Sequence, residues 1–270
     1  MRIYISADME GINGVVRPEQ VQPGNREYEQ AREWMVAEIN AAIEGAVSAG
    51  AKEIVVNDAH NNMINIPLHK LDNHASLISG SAKPFSMMQG IDNSFDGVFF
   101  IGYHAKIGTP KAVMDHTYSY SIIRDVKIND VSVGEFGLNA GLAGFYNVRC
   151  GFVTGDNQLI QEAKKLTPEI ESVAVKEGIS RNAAHCYPIN EALEEITQMA
   201  KRAIELLPQK NLFTFPFPLR MEIEFAKAEM AELVDQLSAF ERVAPCKLVA
   251  EPFDYPMLYQ LFLTALNIIT

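Results

Sequence analysis

Through the first two thirds of the chain, short apolar runs alternate with segments whose apolar residues recur at helical spacing. Arg2–Ala7 reads as a strand. From 26 to 48, Ala31, Met35, Ile39, Ala42 and Ala46 return every three or four positions, as in a helix buried on one face, and Gly50 supplies its stop. Further strands are expected at 53–56, 77–78, 97–101, 151–154 and 172–176. Helices are expected at 136–146, from the cap Asp156 onward, and at 190–206. Two β-rich stretches, 118–124 and 126–133, lie between them, with Asn129 and Asp130 as a turn. This alternation predicts an α/β fold, a mostly parallel sheet flanked by helices on both faces. Residues 208–218 carry three prolines and read as a boundary. The chain then divides into an α/β domain, 1–207, and a smaller α+β portion, 208–270. Strands at 220–225 and 246–250 and helices at 227–237 and 254–268 make up that second portion.

Charge and cysteine usage narrow the function. Asp and Glu number 34 against 23 Lys and Arg, a net charge of −11. Such a surface repels phosphate backbones and argues against nucleic-acid binding. The three cysteines are widely spaced and form no CxxC pair, which fits a reducing compartment and no disulfide framework. Met1 leads straight into RIYISADMEG without a basic, then apolar, leader. The apolar stretch 257–269 is broken by Gln260, Thr264 and Asn267 and falls short of the ~20 residues of a membrane span. These features lead us to expect a cytoplasmic protein without membrane contact. The chain also lacks a GxSxG elbow, a GxxxxGK[ST] phosphate loop and GxGxxG spacing.

In open α/β sheets, ligands bind beyond the carboxyl ends of the strands. Beyond the first expected strand stand Asp8 and Glu10, beyond the second His60, beyond the third His104, and at the end of the later hairpin Glu135. Asp8 and Glu10 are two apart, so in extended backbone both side chains share a face. Two carboxylates crowded there repel unless a cation or a proton intervenes. Imidazoles with carboxylates suit borderline divalent ions, zinc first, with manganese, cobalt or iron as alternatives. Five ligands exceed the needs of one catalytic zinc and suit two ions ~3.5–4 Å apart with a bridging carboxylate. Taken singly, each of the five reads more readily as a helix cap or a structural histidine, and it is their joint pattern that points to metal. His116, in the loop after the third strand, is the candidate catalytic group, as general base, nucleophile or electrostatic stabiliser. His69, His74 and His185 read as surface residues, and Cys150 and Cys246 as core. Lys176 and Arg181 read as parts of a solvated charged turn or, alternatively, as groups holding a substrate carboxylate.

Several of these residues fall in runs that resemble one family. Ser6, Asp8, Glu10 and Gly11 match its S-x-D-x-E-G; Asn57, Asp58 and His60 match its N-D-S-H, with Ala59 in place of the serine. Gly102–Tyr103–His104–Ala105, Val133–Gly134–Glu135 and Ile179–Ser180–Arg181 match three further runs. On these runs, which fall within residues 1–184, the chain resembles the zinc-dependent D-aminopeptidases of the DppA type. The interval from His104 to His116 is one residue longer than the family's. The resemblance implies a dinuclear zinc site, with Asp8 bridging, Glu10 and His60 on one ion, His104 and Glu135 on the other, and His116 catalytic. It implies hydrolysis of short peptides bearing an N-terminal D-residue such as D-alanine. It also implies a homo-oligomer whose subunits form rings, a decamer among the arrangements. A dinuclear amidohydrolase of another small amide and a metal-stabilised, non-catalytic scaffold are the alternatives the residues leave open.

Overall fold

The computed structural model describes residues 1–269. In chain order the first elements are β1 (Arg2–Ala7), α1 (Arg26–Ser48), β2 (Glu53–Asp58), β3 (Ala75–Ile78), β4 (Gly97–Tyr103), β5 (Ile123–Ile128), β6 (Val131–Ser132) and α2 (Glu135–Phe145). They are followed by β7 (Arg149–Asp156), α3 (Asn157–Leu166), β8 (Glu171–Ser180), β9 (Ala183–Cys186) and α4 (Ile189–Leu206). The chain ends in β10 (Met221–Phe225), α5 (Ala228–Val234), β11 (Glu241–Ala244), β12 (Lys247–Ala250) and α6 (Tyr255–Ile269).

The larger sheet has the order β3-β2-β1-β4-β7-β8-β9 and is parallel except for β9, which returns antiparallel along β8. Its central strands are buried on both faces, as parallel strands under helices must be. The period-two alternation of side chains divides them between two cores. Ile3, Ile5, Phe99 and Ile101 pack with α1 and α4, whereas Tyr4, Val98 and Phe100 pack with α2, α3 and α6. The chain leaves β1 toward β2 on one side and later returns to lay β4 on the other. A crevice therefore opens between the carboxyl ends of β1 and β4, the switch point where α/β sheets hold ligands.

The smaller sheet is antiparallel, ordered β11-β12-β10-β5-β6. Along β10, Met221, Ile223 and Phe225 face the core, while Glu222 and Glu224 face out toward Lys127 and Lys247. Two of its strands, β5 and β6, come from upstream of residue 208, so this sheet is woven from both sides of the proline-rich segment.

Several local expectations are corrected. Residues 118–122 form turns, and β5 starts only at Ile123. Asn129 and Asp130 do make the β5–β6 turn, both at positive φ (49° and 66°), as a tight hairpin requires. The hairpin belongs to the smaller sheet, and Glu135 opens α2 instead of ending a strand. The short edge strands β9 and β11 were not expected, because half-exposed four-residue strands carry little periodicity. Cys246 lies half-buried in the β11–β12 turn and not in the core, while Cys150 is buried. Among the described residues no helix is long and apolar enough to cross a membrane.

Candidate metal centre and active site

Asp8 and Glu10 follow β1, His60 follows β2 and His104 follows β4, so three neighbouring strands deliver four of the expected residues to one crevice. Glu135 arrives from another direction, on the first turn of α2. His116 comes from the loop between β4 and β5, whose backbone reaches back so that His116 N–H donates to Ala105 O. Five of the six line one cavity of about 340 Å³, whose remaining wall includes Ala59, Met63, Met87 and Tyr118, and His104 stands behind them against Asp8 and Glu135. His69, His74 and His185 lie outside it, exposed as expected.

The seam between β1 and β4 is closed by two glycines. Gly11 N–H donates to Gly102 O at 2.8 Å. A Cβ on Gly11 would lie 1.9 Å from Tyr103 O, and one on Gly102 would lie 2.3 Å from Asp8 O. Only glycine permits this approach, which draws the Asp8–Glu10 segment against His104.

The hydrogen bonds decide which imidazole nitrogens face the crevice. His60 Nε2–H donates to Val21 O at 2.8 Å, which turns the Nδ1 lone pair toward Asp8 Oδ1 (3.2 Å) and Glu10 Oε2 (3.0 Å). His104 Nδ1–H donates to Ala105 O at 3.1 Å, which turns Nε2 toward Asp8 Oδ2 (3.4 Å) and Glu135 Oε2 (3.3 Å). Each inward nitrogen therefore faces two carboxylate oxygens, acceptor against acceptor. Such contacts call for a shared proton or a cation. Among the described residues, the buried Glu10 Oε2 and His104 Nε2 make no hydrogen bond. The donor set of nitrogens and carboxylates, with outer nitrogens bonded to backbone carbonyls, fits divalent zinc-like ions. Asp8 offers one oxygen to each half of the cluster, so two half-sites share it. His116 stacks on His104 with ring centroids 3.9 Å apart, and its Nε2 lies 3.7 Å from Glu135 Oε1.

The electrostatics reflect this crowding. Burial, reinforced by the charge of Glu10, pushes the Asp8 carboxyl up to about 7. Burial opposes charge on His60 and His104, yet the neighbouring carboxylates outweigh it and hold both well above the usual imidazole value. His116 is shifted the other way, downward, by burial and by the adjacent His104.

Three residues named from the sequence have supporting roles that it did not reveal. Lys176 is fully buried on β8 instead of lying in a solvated turn, and all three of its ammonium protons are committed to backbone carbonyls. Its Nζ donates to the carbonyls of Glu10 (2.7 Å), Ile12 (2.8 Å) and Val15 and so pins the loop that follows β1. The available signal was a lysine inside an apolar alternation, VAVKEG. Arg181 pairs with the Asp115 carboxylate and backbone carbonyl and stacks on Tyr120, so it fastens the loop that carries His116. The carboxylate of Asp58 is consumed by the N–H groups of Asn65 and Ile66 and shapes the turn around His60.

Comparison with known proteins places the whole chain in a family. Residues 1–264 match the family model described as D-aminopeptidase. A D-aminopeptidase of Bacillus subtilis (strain 168) is 40% identical over 241 residues, covering 89% of this chain and 87% of that protein. Among solved structures, the zinc-dependent D-aminopeptidase DppA from Bacillus subtilis, described as a self-compartmentalizing protease, superposes with a TM-score of 0.96 at 37% identity. It covers 99% of this chain and 97% of that one. The whole architecture is shared, and the chain belongs to the D-aminopeptidase family of metallopeptidases.

Proposed function

We propose that this protein removes N-terminal D-residues from short peptides, D-alanyl peptides above all, using two zinc ions held by Asp8, Glu10, His60, His104 and Glu135. The observation that carries the reading is the pair of inward imidazole nitrogens, each facing two carboxylates and both facing Asp8. Glu10 and His60 would hold one ion, His104 and Glu135 the other, and Asp8 both. Bound there, the ions would polarise the scissile carbonyl and make water acidic enough to act near neutral pH. His116 would do the proton work. Its Nδ1–H donates to Met114 O at 2.8 Å, which leaves the Nε2 lone pair directed into the site. Burial and the adjacent His104 shift His116 toward the neutral ring, the form that would take a proton from the attacking water and return it to the departing amine. The apolar side formed by Ala59, Met63 and Met87 leaves room for a compact side chain. The preference for D-residues is supported by the family, and assembly into a closed ring of subunits by the self-compartmentalizing relative.

Kinetics test the reading. With the amine and the carbonyl held, D- and L-side chains leave the same Cα in different directions, so one wall rejects one enantiomer. D-Ala-D-Ala should exceed L-Ala-L-Ala in kcat/KM by at least ~100-fold, about 2.7 kcal/mol of transition-state discrimination. N-acetyl-D-Ala-D-Ala should not be cleaved. Elemental analysis of the undialysed protein should approach two zinc per chain. Equal rates on the L-dipeptide, or turnover of the acetylated one, would reassign the site to a general dinuclear amidohydrolase.

A further inference from the structure

A single run of buried hydrogen bonds ties together the elements that carry the site. Ser6 Oγ donates to Met87 O at 2.7 Å, so it must accept from Tyr103 OH, 2.6 Å away. Asn139 Nδ2 donates to Tyr103 OH at 2.8 Å, and Tyr259 OH donates to Asn139 Oδ1 at 2.6 Å. With its only proton so engaged, Tyr259 OH must accept from Tyr118 OH, also at 2.6 Å. Each hydroxyl spends its one proton along the run, and Asn139 gives its second N–H to Met87 Sδ at 3.6 Å, so the direction of the chain is set from Tyr118 to Met87 without an alternative.

Each member sits beside a residue of the site. Ser6 is two before Asp8, Tyr103 immediately precedes His104, and Asn139 lies one helical turn after Glu135. Tyr118 is two after His116, and its backbone N–H donates to Glu135 Oε1 at 2.6 Å. Met87 forms part of the cavity wall. Only Tyr259 comes from far away in sequence, on α6, which places nothing in the cavity. It is fully buried, and its hydroxyl joins the loop carrying His116 to the helix carrying Glu135.

We propose that Tyr259 is a positioning residue of the active site: through Tyr118 and Asn139, the C-terminal helix holds the His116 loop and Glu135 in mutual register. This rests on the reading of the site given above. Replacing Tyr259 by Phe keeps the ring and removes the one group that both accepts from Tyr118 and donates to Asn139. The loop 114–120 then loses its hydroxyl tie to α6 and Asn139 and keeps the Tyr118 N–H bond to Glu135 and the ring contact with Phe262, while every candidate ligand stays in place.

The test compares Tyr259→Phe and Tyr118→Phe with Tyr255→Phe. Tyr255 is also buried on α6, but its hydroxyl donates to Leu138 O outside this chain of bonds, and it serves as the control for losing a buried hydroxyl. On D-Ala-D-Ala, Tyr259→Phe should lower kcat by at least about tenfold, the usual scale for a partner behind a site residue, with KM and zinc content unchanged. Tyr118→Phe should show the same split, and the double variant should be no worse than Tyr259→Phe alone. Tyr255→Phe should retain the wild-type kcat. Hydrogen exchange followed by mass spectrometry supplies a readout independent of turnover. Amides of 114–120 should exchange at least about tenfold faster in Tyr259→Phe and Tyr118→Phe, and at the wild-type rate in Tyr255→Phe. Wild-type exchange of 114–120 in Tyr259→Phe, or an equal kcat loss in Tyr255→Phe, overturns the proposal. Should Tyr259→Phe fail to fold, Tyr118→Phe decides by the same two measurements. A wild-type protein inactive on D-Ala-D-Ala would instead refute the substrate reading, and the exchange rates would still decide the role of Tyr259.

Discussion

Replacing Gly11 by alanine puts the seam between β1 and β4 to a quantitative test. The added Cβ would lie 1.9 Å from Tyr103 O and 2.5 Å from the carbonyl carbon of Gly102, backbone atoms that have no rotamer to escape into. Carbon–oxygen contacts settle near 3.3 Å, so the loop after β1 must retreat by about 1.4 Å. That motion carries the 2.8 Å Gly11 N–H to Gly102 O bond beyond hydrogen-bonding range. Overpacking of ~1–3 kcal/mol and a lost backbone bond of ~1 kcal/mol give a destabilisation of about 2–4 kcal/mol. At roughly 2–4 °C per kcal/mol for a chain of this size, the melting temperature should fall by about 5–15 °C. The catalytic cost should be larger. Asp8 Oδ2 and His104 Nε2 face each other across this seam at 3.4 Å, and metal–ligand distances tolerate only about 0.2 Å. At 25 °C, below the transition, zinc content should fall by about one equivalent and kcat/KM by at least ~100-fold. Gly24→Ala is the control: its φ is +93° but open space surrounds it, so it bears backbone strain alone and should keep its zinc. A Gly11→Ala protein with full zinc and wild-type kcat/KM would refute the claim that this glycine contact assembles the site.

Two further predictions follow from the site and its surroundings. His116→Ala should keep its zinc and lose on the order of 10²–10⁴ in kcat, whereas zinc lost in proportion to activity would make His116 a ligand. Glu38 is buried on α1, accepts from Asn13 N–H at 2.7 Å, and is pushed by burial up to about 7 from an ordinary 4.5. Its contribution to stability is therefore complete below pH ~4.5 and is lost as pH rises through about 7, because the folded chain holds a proton that the unfolded chain releases. Glu38→Gln should remove this dependence and gain on wild type by up to about 3 kcal/mol between pH 5 and pH 8.5. Urea unfolding of zinc-saturated protein at both pH values measures it, and parallel profiles would count against a protonated Glu38.

The parallel sheet and most of the candidate site were readable from the chain itself. β1 and β4 are strands buried on both faces, which leaves an unbroken apolar run in the sequence and makes the first polar residues beyond it conspicuous. Asp8, Glu10, His60 and His104 stand out for that reason. Glu135 was picked out as the end of a hairpin strand and so assigned to the wrong element, because a short hairpin followed at once by a helix has no gap to mark the change. What only the tertiary structure decided is which groups face one another. Lys176 looked like a charge at the end of a strand, and it proves to be a clamp on carbonyls more than 160 residues away. Tyr259 lies in a helix so apolar that its hydroxyl is one polar atom among many methyl groups, and its partners, Tyr118 and Asn139, are 141 and 120 residues distant. The physical reason is a difference in range. Burial follows the period of a strand or helix and so leaves a local trace in the sequence. A directional hydrogen bond needs two atoms within about 3 Å of each other, and only the finished packing of distant segments determines that.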